Sequence, residues 1–166
     1  MKDLWSKLAI ITLTTTVAST AMAAPRSLGR ENAWEGVQDS DRNICYMVSF
    51  PLRSEGNYTK RDGAYLTVTI RPSENVVGEV AFYAGYPYGN NPVTFTIGNK
   101  THQLSPQGEW AWTKDKSADA ALLNDLMAGD RLVVKGYSGR GTLTTDTFSL
   151  SGVTASWRKI KAACGQ

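Results

Sequence analysis

One histidine, His102, and two cysteines, Cys45 and Cys164, are the whole supply of soft metal ligands in this chain. A structural or catalytic zinc site draws three or four such groups at short spacing, so neither a metal nor a metal-bound cofactor is expected. No G-x-S-x-G elbow and no G-x-x-x-x-G-K-[ST] loop occurs, which removes serine-hydrolase and phosphate-loop chemistry. A large charge excess is missing too. The 18 Lys and Arg against 15 Asp and Glu give +3, too weak a bias to point to nucleic acid. After the N-terminal region, no apolar run approaches the roughly 20 residues of a membrane-spanning helix.

Lys2 and Lys7 open the chain, Leu8 to Thr20 is mostly apolar but broken by threonines, and Ala21-Met-Ala23 fits an A-x-A cleavage site. That pattern predicts a secretory signal peptide over 1–23, followed by a loose segment over 24–43, in which Trp34 and Val37 read as a first short strand or a plug on the sheet, and one domain over 44–166. With Lys2, Asp3 and Lys7 removed, the net charge of +3 falls by one, to +2. Export to an oxidising compartment, here the bacterial periplasm, makes a Cys45–Cys164 disulfide the simplest reading of an even cysteine pair, with two buried thiols as the alternative.

The mature chain alternates. Ala64, Leu66, Val68 and Ile70 share one face of a strand, with Tyr65, Thr67, Thr69 and Arg71 on the other. Val80, Phe82 and Ala84 repeat the pattern, and shorter strands are expected at 44–50, 93–97, 100–104, 109–113, 131–137 and 142–150. Residues 54–63 read as an exposed connection, and a bulge is expected near Thr144-Thr-Asp146 because Leu143 is out of parity with Phe148. The period changes twice. Leu122, Leu123, Leu126 and Met127 form a helical stripe over about 117–128, with Ser117 as cap and Gly129 as stop. Val153, Trp157, Ile160 and Cys164 form another over about 152–163, with Ser151 as cap and Gly165 beyond the end. The expected fold is mainly β: an antiparallel, sandwich-like domain of seven or eight short strands with two short helices. A transmembrane barrel fits less well, because several strands fall short of the roughly ten residues each would need.

The run Arg140-Gly-Thr…Thr145-Asp-Thr-Phe-Ser-Leu-Ser-Gly152, then a helix ending Ala-Cys164, resembles the invasion-associated locus B family of exported alphaproteobacterial proteins. Cys45-Tyr-Met, Val68-Thr-Ile-Arg-Pro72, Phe82-Tyr-Ala-Gly-Tyr86, Ala111-Trp and Asp119-Ala-Ala-Leu match in the same order. The resemblance covers roughly 44–164. It implies a periplasmic or outer-membrane-associated envelope protein tied to host-cell entry, with no catalytic motif to carry over.

Three functional expectations follow. The first is a non-enzymatic envelope protein that binds an envelope or host component, peripherally associated with the outer membrane. The second is a carbohydrate- or ligand-binding sandwich contacting its partner through Tyr83, Tyr86 and Tyr88, with Arg140 in the Ser138-Gly-Arg-Gly141 turn as an anion contact. The third is a hydrolase with dispersed carboxylates, for which Asp39/Asp41 and Asp115/Asp119 are the visible pairs; capping and solubility also account for them. Trp110 and Trp112 share one face of a short strand and are expected chiefly in the core, with a stacking platform as the alternative. His102 reads as an exposed structural residue.

Overall fold

The computed structural model describes residues 24–166; the expected signal peptide, 1–23, lies outside the described residues. Eleven strands, all paired antiparallel, run β1 (Arg26–Glu31), β2 (Trp34–Asp39), β3 (Ile44–Ser49), β4 (Arg53–Gly56), β5 (Tyr65–Arg71), β6 (Val76–Tyr83), β7 (Val93–Ile97), β8 (Lys100–Gln107), β9 (Trp110–Trp112), β10 (Arg131–Tyr137) and β11 (Leu143–Ser149). Helix α1 (Lys116–Ala128) precedes β10, and α2 (Val153–Ala163) closes the chain. The strands form one open sheet ordered β1-β2-β3-β5-β6-β9-β8-β7-β10-β11-β4.

That ribbon folds on itself through β8. Lys100–Leu104 pair with β7, whereas Ser105–Gln107 pair with β9, so one strand serves both halves. The halves meet over a single core. Phe82 of β6 lies edge-on to Phe95 of β7 and to Phe148 of β11, with centroids 6.0 Å apart in each case. Edge-to-face packing at this separation is the favoured aromatic geometry and adds to the burial of three full rings. The expected alternation holds: Ala64, Leu66, Val68, Ile70, Val80, Phe82 and Ala84 are all buried.

Several expectations need correction. The segment 24–43 is a hairpin, β1–β2, and not a loose terminus; fully buried Trp34 anchors it, its indole N–H donating to Ser149 O at 3.1 Å. With β4 starting at Arg53 and running into the expected 54–63 connection, this raises the strand number to eleven. The bulge near Thr144 is absent, since β10 and β11 pair in unbroken register from Tyr137↔Leu143 to Arg131↔Ser149. Leu143 points outward, and polar Thr144 and Asp146 take the inward positions. The helix caps are Asp115, whose carboxylate accepts Ala118 N–H at 2.8 Å, and Gly152. Gly152 has φ +98° and a Cβ there would collide with Glu31 O, which excludes any larger residue from that corner.

Helix α2 lies on β2 and β3, burying Val153, Trp157 and Ile160. Its C-terminus is tied to β3 by the Cys45–Cys164 disulfide, spanning 119 positions. Helix α1 buries Leu122, Leu123 and Leu126 and packs on β6. The reason lies in strand lengths. The three-residue β9 pairs only Ala81–Tyr83, which leaves the earlier part of β6 without a neighbour on that edge. Asp119 of α1 fills the gap, accepting Val80 N–H at 2.8 Å as a strand partner would.

Candidate functional site

The outward face of the β3-β5-β6-β9 half carries a row of aromatic rings. Tyr65, Tyr83 and Trp110 are register neighbours on adjacent strands, with Tyr65↔Tyr83 and Tyr83↔Trp110 directly paired. Ring centroids step from Phe50 to Tyr65 at 6.2 Å, to Tyr83 at 4.9 Å, to Trp110 at 5.2 Å and to Trp112 at 5.5 Å. Phe50 is 54% exposed and the other four are half-buried. Tyr83 donates to the Glu109 carboxylate at 3.0 Å, a bond that fixes the ring and holds its hydroxyl proton above the ordinary range. The two tryptophans thus face out and the alanine between them, Ala111, is in the core, the reverse of the expectation that both are chiefly core.

Stacking within the row decides what it presents. Tyr65 and Tyr83 lie 28° from parallel, and Trp110 and Trp112 lie 25° from parallel, so rings cover one another's faces. Trp112 ends the row with one aromatic neighbour. Beyond it is a notch of about 240 Å³ lined by Val76, Val77, Glu79, Thr113, Lys114, Asp115, Lys116 and Asp119. Asp119 is 8% exposed. Its Oδ1 accepts both Val80 N–H at 2.8 Å and the Thr113 hydroxyl at 2.7 Å. Oδ2 meets no described donor and is open to solvent. Burial raises the Asp119 pKa, and the two hydrogen bonds act against that rise. Glu79 accepts from the two terminal Arg71 nitrogens at 2.8 and 3.0 Å while Arg71 Nε donates to Glu74 at 2.9 Å, and Lys116 is committed to Asn75 O at 2.8 Å.

Of the residues expected at the contact surface, Tyr83 joins the outer row. Tyr86 and Tyr88 go elsewhere, leaning inward against the core and against each other with centroids 5.2 Å apart. Gly136 makes room for them, since a Cβ there would stand 2.8 Å from the Tyr88 ring. Tyr86 shares a 2.6 Å hydrogen bond with Thr144 and sits under the Arg61 guanidinium, 5.0 Å from ring centroid to carbon. Arg61 reaches Asp146 through two nitrogens, at 2.8 and 2.7 Å, and Ala84 O at 2.6 Å. Ser54 adds a 2.6 Å bond to Asp146. The two charged side chains are 4% and 0% exposed. Burial would lower the Arg61 pKa, but the Asp146 hydrogen bonds and charge hold it raised. This cluster is an internal brace that ties 57–63, β4 and the tyrosine turn to β11. Arg140 is exposed in its turn, apart from all of these.

His102 is less exposed than expected. Its Nε2 lies 2.9 Å from Asp125 Oδ2, and Lys100 pairs with the other carboxylate oxygen. The Lys100 hydrogen bond, then that of His102, holds the Asp125 carboxyl below the ordinary carboxylate range. A shallow groove of about 650 Å³ runs beside this cluster between the β7–β8 turn and the end of α1. Its lining pairs Lys100 and Arg131 with Asp125 and Asp130, so neither sign prevails. Among the described residues no group of three or more His, Cys, Asp and Glu side chains is arranged to hold a metal ion. No described helix is long and apolar enough to cross a membrane.

Compared with family models, curated proteins and solved structures, the chain matches none.

The outer row was partly legible. Strand parity places Tyr65 and Tyr83 on the wet face, but the short β9 shows only that Trp110 and Trp112 share a face and not which face that is, and Phe50 reads as the end of a buried strand. Nothing in the sequence signals that Arg61 and Asp146 meet.

Proposed function

We propose that the chain is an exported, non-enzymatic binding protein of the cell envelope, and that it contacts its partner through the row Phe50, Tyr65, Tyr83, Trp110 and Trp112. The supporting observation is the row itself: five aromatic rings in continuous contact on the outer face of a sheet, with no described element packed over them. Half-exposed aromatic side chains combine large apolar area with low ordering cost, which is why binding surfaces concentrate them. The leader-like N-terminus and the disulfide favour a periplasmic setting. The motif resemblance to the invasion-associated locus B family favours a role at the envelope during host contact, with peripheral outer-membrane association.

Co-sedimentation with purified cell-wall sacculi and with outer-membrane vesicles tests the reading. The wild-type chain is expected to sediment with one of them, and Tyr65→Ala/Trp110→Ala to lose most of that recovery while melting within a few degrees of wild type. Equal recovery of the two proteins would remove the row as the contact surface. Recovery of the chain from the cytoplasm with Met1 to Ala23 still attached would remove export.

A further inference from the structure

An open sheet has two outer edges, and each edge strand carries backbone donors and acceptors that a further strand can use. Here the edges are β1 and β4. The β1 edge is guarded: its register shifts between Ser27 and Gly29, and Lys159 of α2 reaches across to pair with Glu31. A bulge and a charge of one sign are devices that keep a passing strand away. β4 has no such irregularity. Arg53–Gly56 pair with Thr147–Thr144 in unbroken register, all four residues are exposed, and no described strand lies on the other side.

Apolar side chains collect at the same place. Of the six large ones exposed among the described residues, five stand around β4. Phe50 and Leu52, the latter 70% exposed, lead into it, and Tyr58 follows it with its ring against Gly56. Leu143 and its register partner Tyr137 lie beyond that end on β11 and β10. Exposed apolar groups gathered in one region mark an interaction surface.

Charge argues which strand fits. Cross-strand partners share a face, so Arg53 and Glu55 stand outward with Thr147 and Thr145, while Ser54 turns inward to Asp146. Arg53 and Glu55 form an ion pair at 2.6 Å on the open surface, which contributes little alone and leaves both groups able to take a second partner. A guarding lysine repels a copy of its own strand, whereas the order Arg53-Ser54-Glu55 does the reverse. Laid antiparallel about Ser54, a second β4 sets Glu55 opposite Arg53 on both sides of the axis and closes a ring of four alternating charges. The same register brings Leu52 of each chain opposite Gly56 of the other, beside the Tyr58 ring. Opposite charges directly across two strands are stabilising and like charges destabilising. A two-fold contact requires a self-complementary patch of this kind.

We propose that β4 is a homodimer edge, at which two copies of this chain join antiparallel about Ser54 through backbone hydrogen bonds, Arg53–Glu55 cross pairs and Leu52–Tyr58 contacts. The contact is small, so the dimer is weak, with Kd on the order of 100 µM. It is independent of the binding role assigned to the aromatic row, and it gives each particle two such rows.

Sedimentation velocity of the disulfide-bonded chain between about 10 and 500 µM reads the association. The wild type is expected to pass from monomer towards dimer over that range, less completely as salt is added. Arg53→Glu and Glu55→Arg each put like charges across the axis and should each raise the Kd about tenfold. Mixed in equal amounts, these two variants are complementary again and should associate as wild type does, as should the exchanged variant Arg53→Glu/Glu55→Arg. All are changes on an exposed strand, and melting temperatures near that of wild type verify that each is folded. Three results overturn the proposal: a wild type that stays monomeric at about 500 µM, a dimer that neither single reversal weakens, or an equal mixture no tighter than either variant alone. Tyr65→Ala/Trp110→Ala should dimerise like wild type, and loss of the dimer there would move the contact to the aromatic row and overturn the β4 edge as well.

Discussion

Replacing Asp146 by alanine would leave the Arg61 guanidinium, 4% exposed, without its acidic partner. Two of its nitrogens lose bonds of 2.8 and 2.7 Å, and Ser54 loses its 2.6 Å acceptor. Only Ala84 O, at 2.6 Å, and the faces of Tyr86 and Tyr58 would still stabilise the cation. Breaking one side of a buried pair costs about 3–5 kcal/mol, mostly the cost of a stranded charge. A domain of this size is stable by about 5–15 kcal/mol in all, so the variant should stand close to unfolding. At an m-value of about 2 kcal/mol/M in urea, the midpoint should fall by roughly 2 M. Arg61→Met should cost a similar amount by stranding Asp146. The double variant Arg61→Met/Asp146→Leu should lose much less than the sum, about 0–2 kcal/mol, because both desolvation penalties vanish together. Urea unfolding of wild type, Arg61→Met, Asp146→Leu and the double variant, each with its disulfide intact, completes the cycle. Amide exchange adds a local readout: Asp62 N–H, bonded to Gly85 O at 3.1 Å, should exchange much faster in either single variant. A loss below about 1 kcal/mol for Asp146→Ala, or simple additivity, would refute the brace.

The disulfide closes a span of 119 positions, so Cys45→Ala/Cys164→Ala should lower stability by about 2–5 kcal/mol by urea unfolding. Thiol titration of the unfolded, unreduced wild type should find none free, and two free thiols would contradict the pairing. Asp125, its carboxyl held low first by the Lys100 hydrogen bond, favours the folded state above its unfolded value near ~3.9 and loses that contribution as pH falls through the lower folded value. The thermal midpoint of Asp125→Asn should therefore fall less steeply than wild type below about pH 4, and parallel curves would show that the pair contributes nothing.

Local pattern and tertiary arrangement divide this protein cleanly. Alternation at Ala64–Arg71 and Val80–Ala84 and the helical stripes at Leu122–Leu126 and Val153–Ile160 were readable because burial on one face is a periodic, local demand. The mainly β antiparallel class follows from them, whereas the expectation that Cys164 meets Cys45 came from export and an even cysteine pair. Three things required the folded chain. Trp34 became a core residue because β1 and β2 found an edge beside β3, a pairing that no short window contains. Asp146 became an inward residue because Arg61, 85 positions earlier, arrives to neutralise it; read alone, the same parity looked like a bulge. Trp112 and Asp119 face one notch because β9 stops after three residues and α1 takes over its place beside β6. Which strands become neighbours is settled by the whole core closing at once, and every cross-strand partner, including the candidate site, is set by that closure.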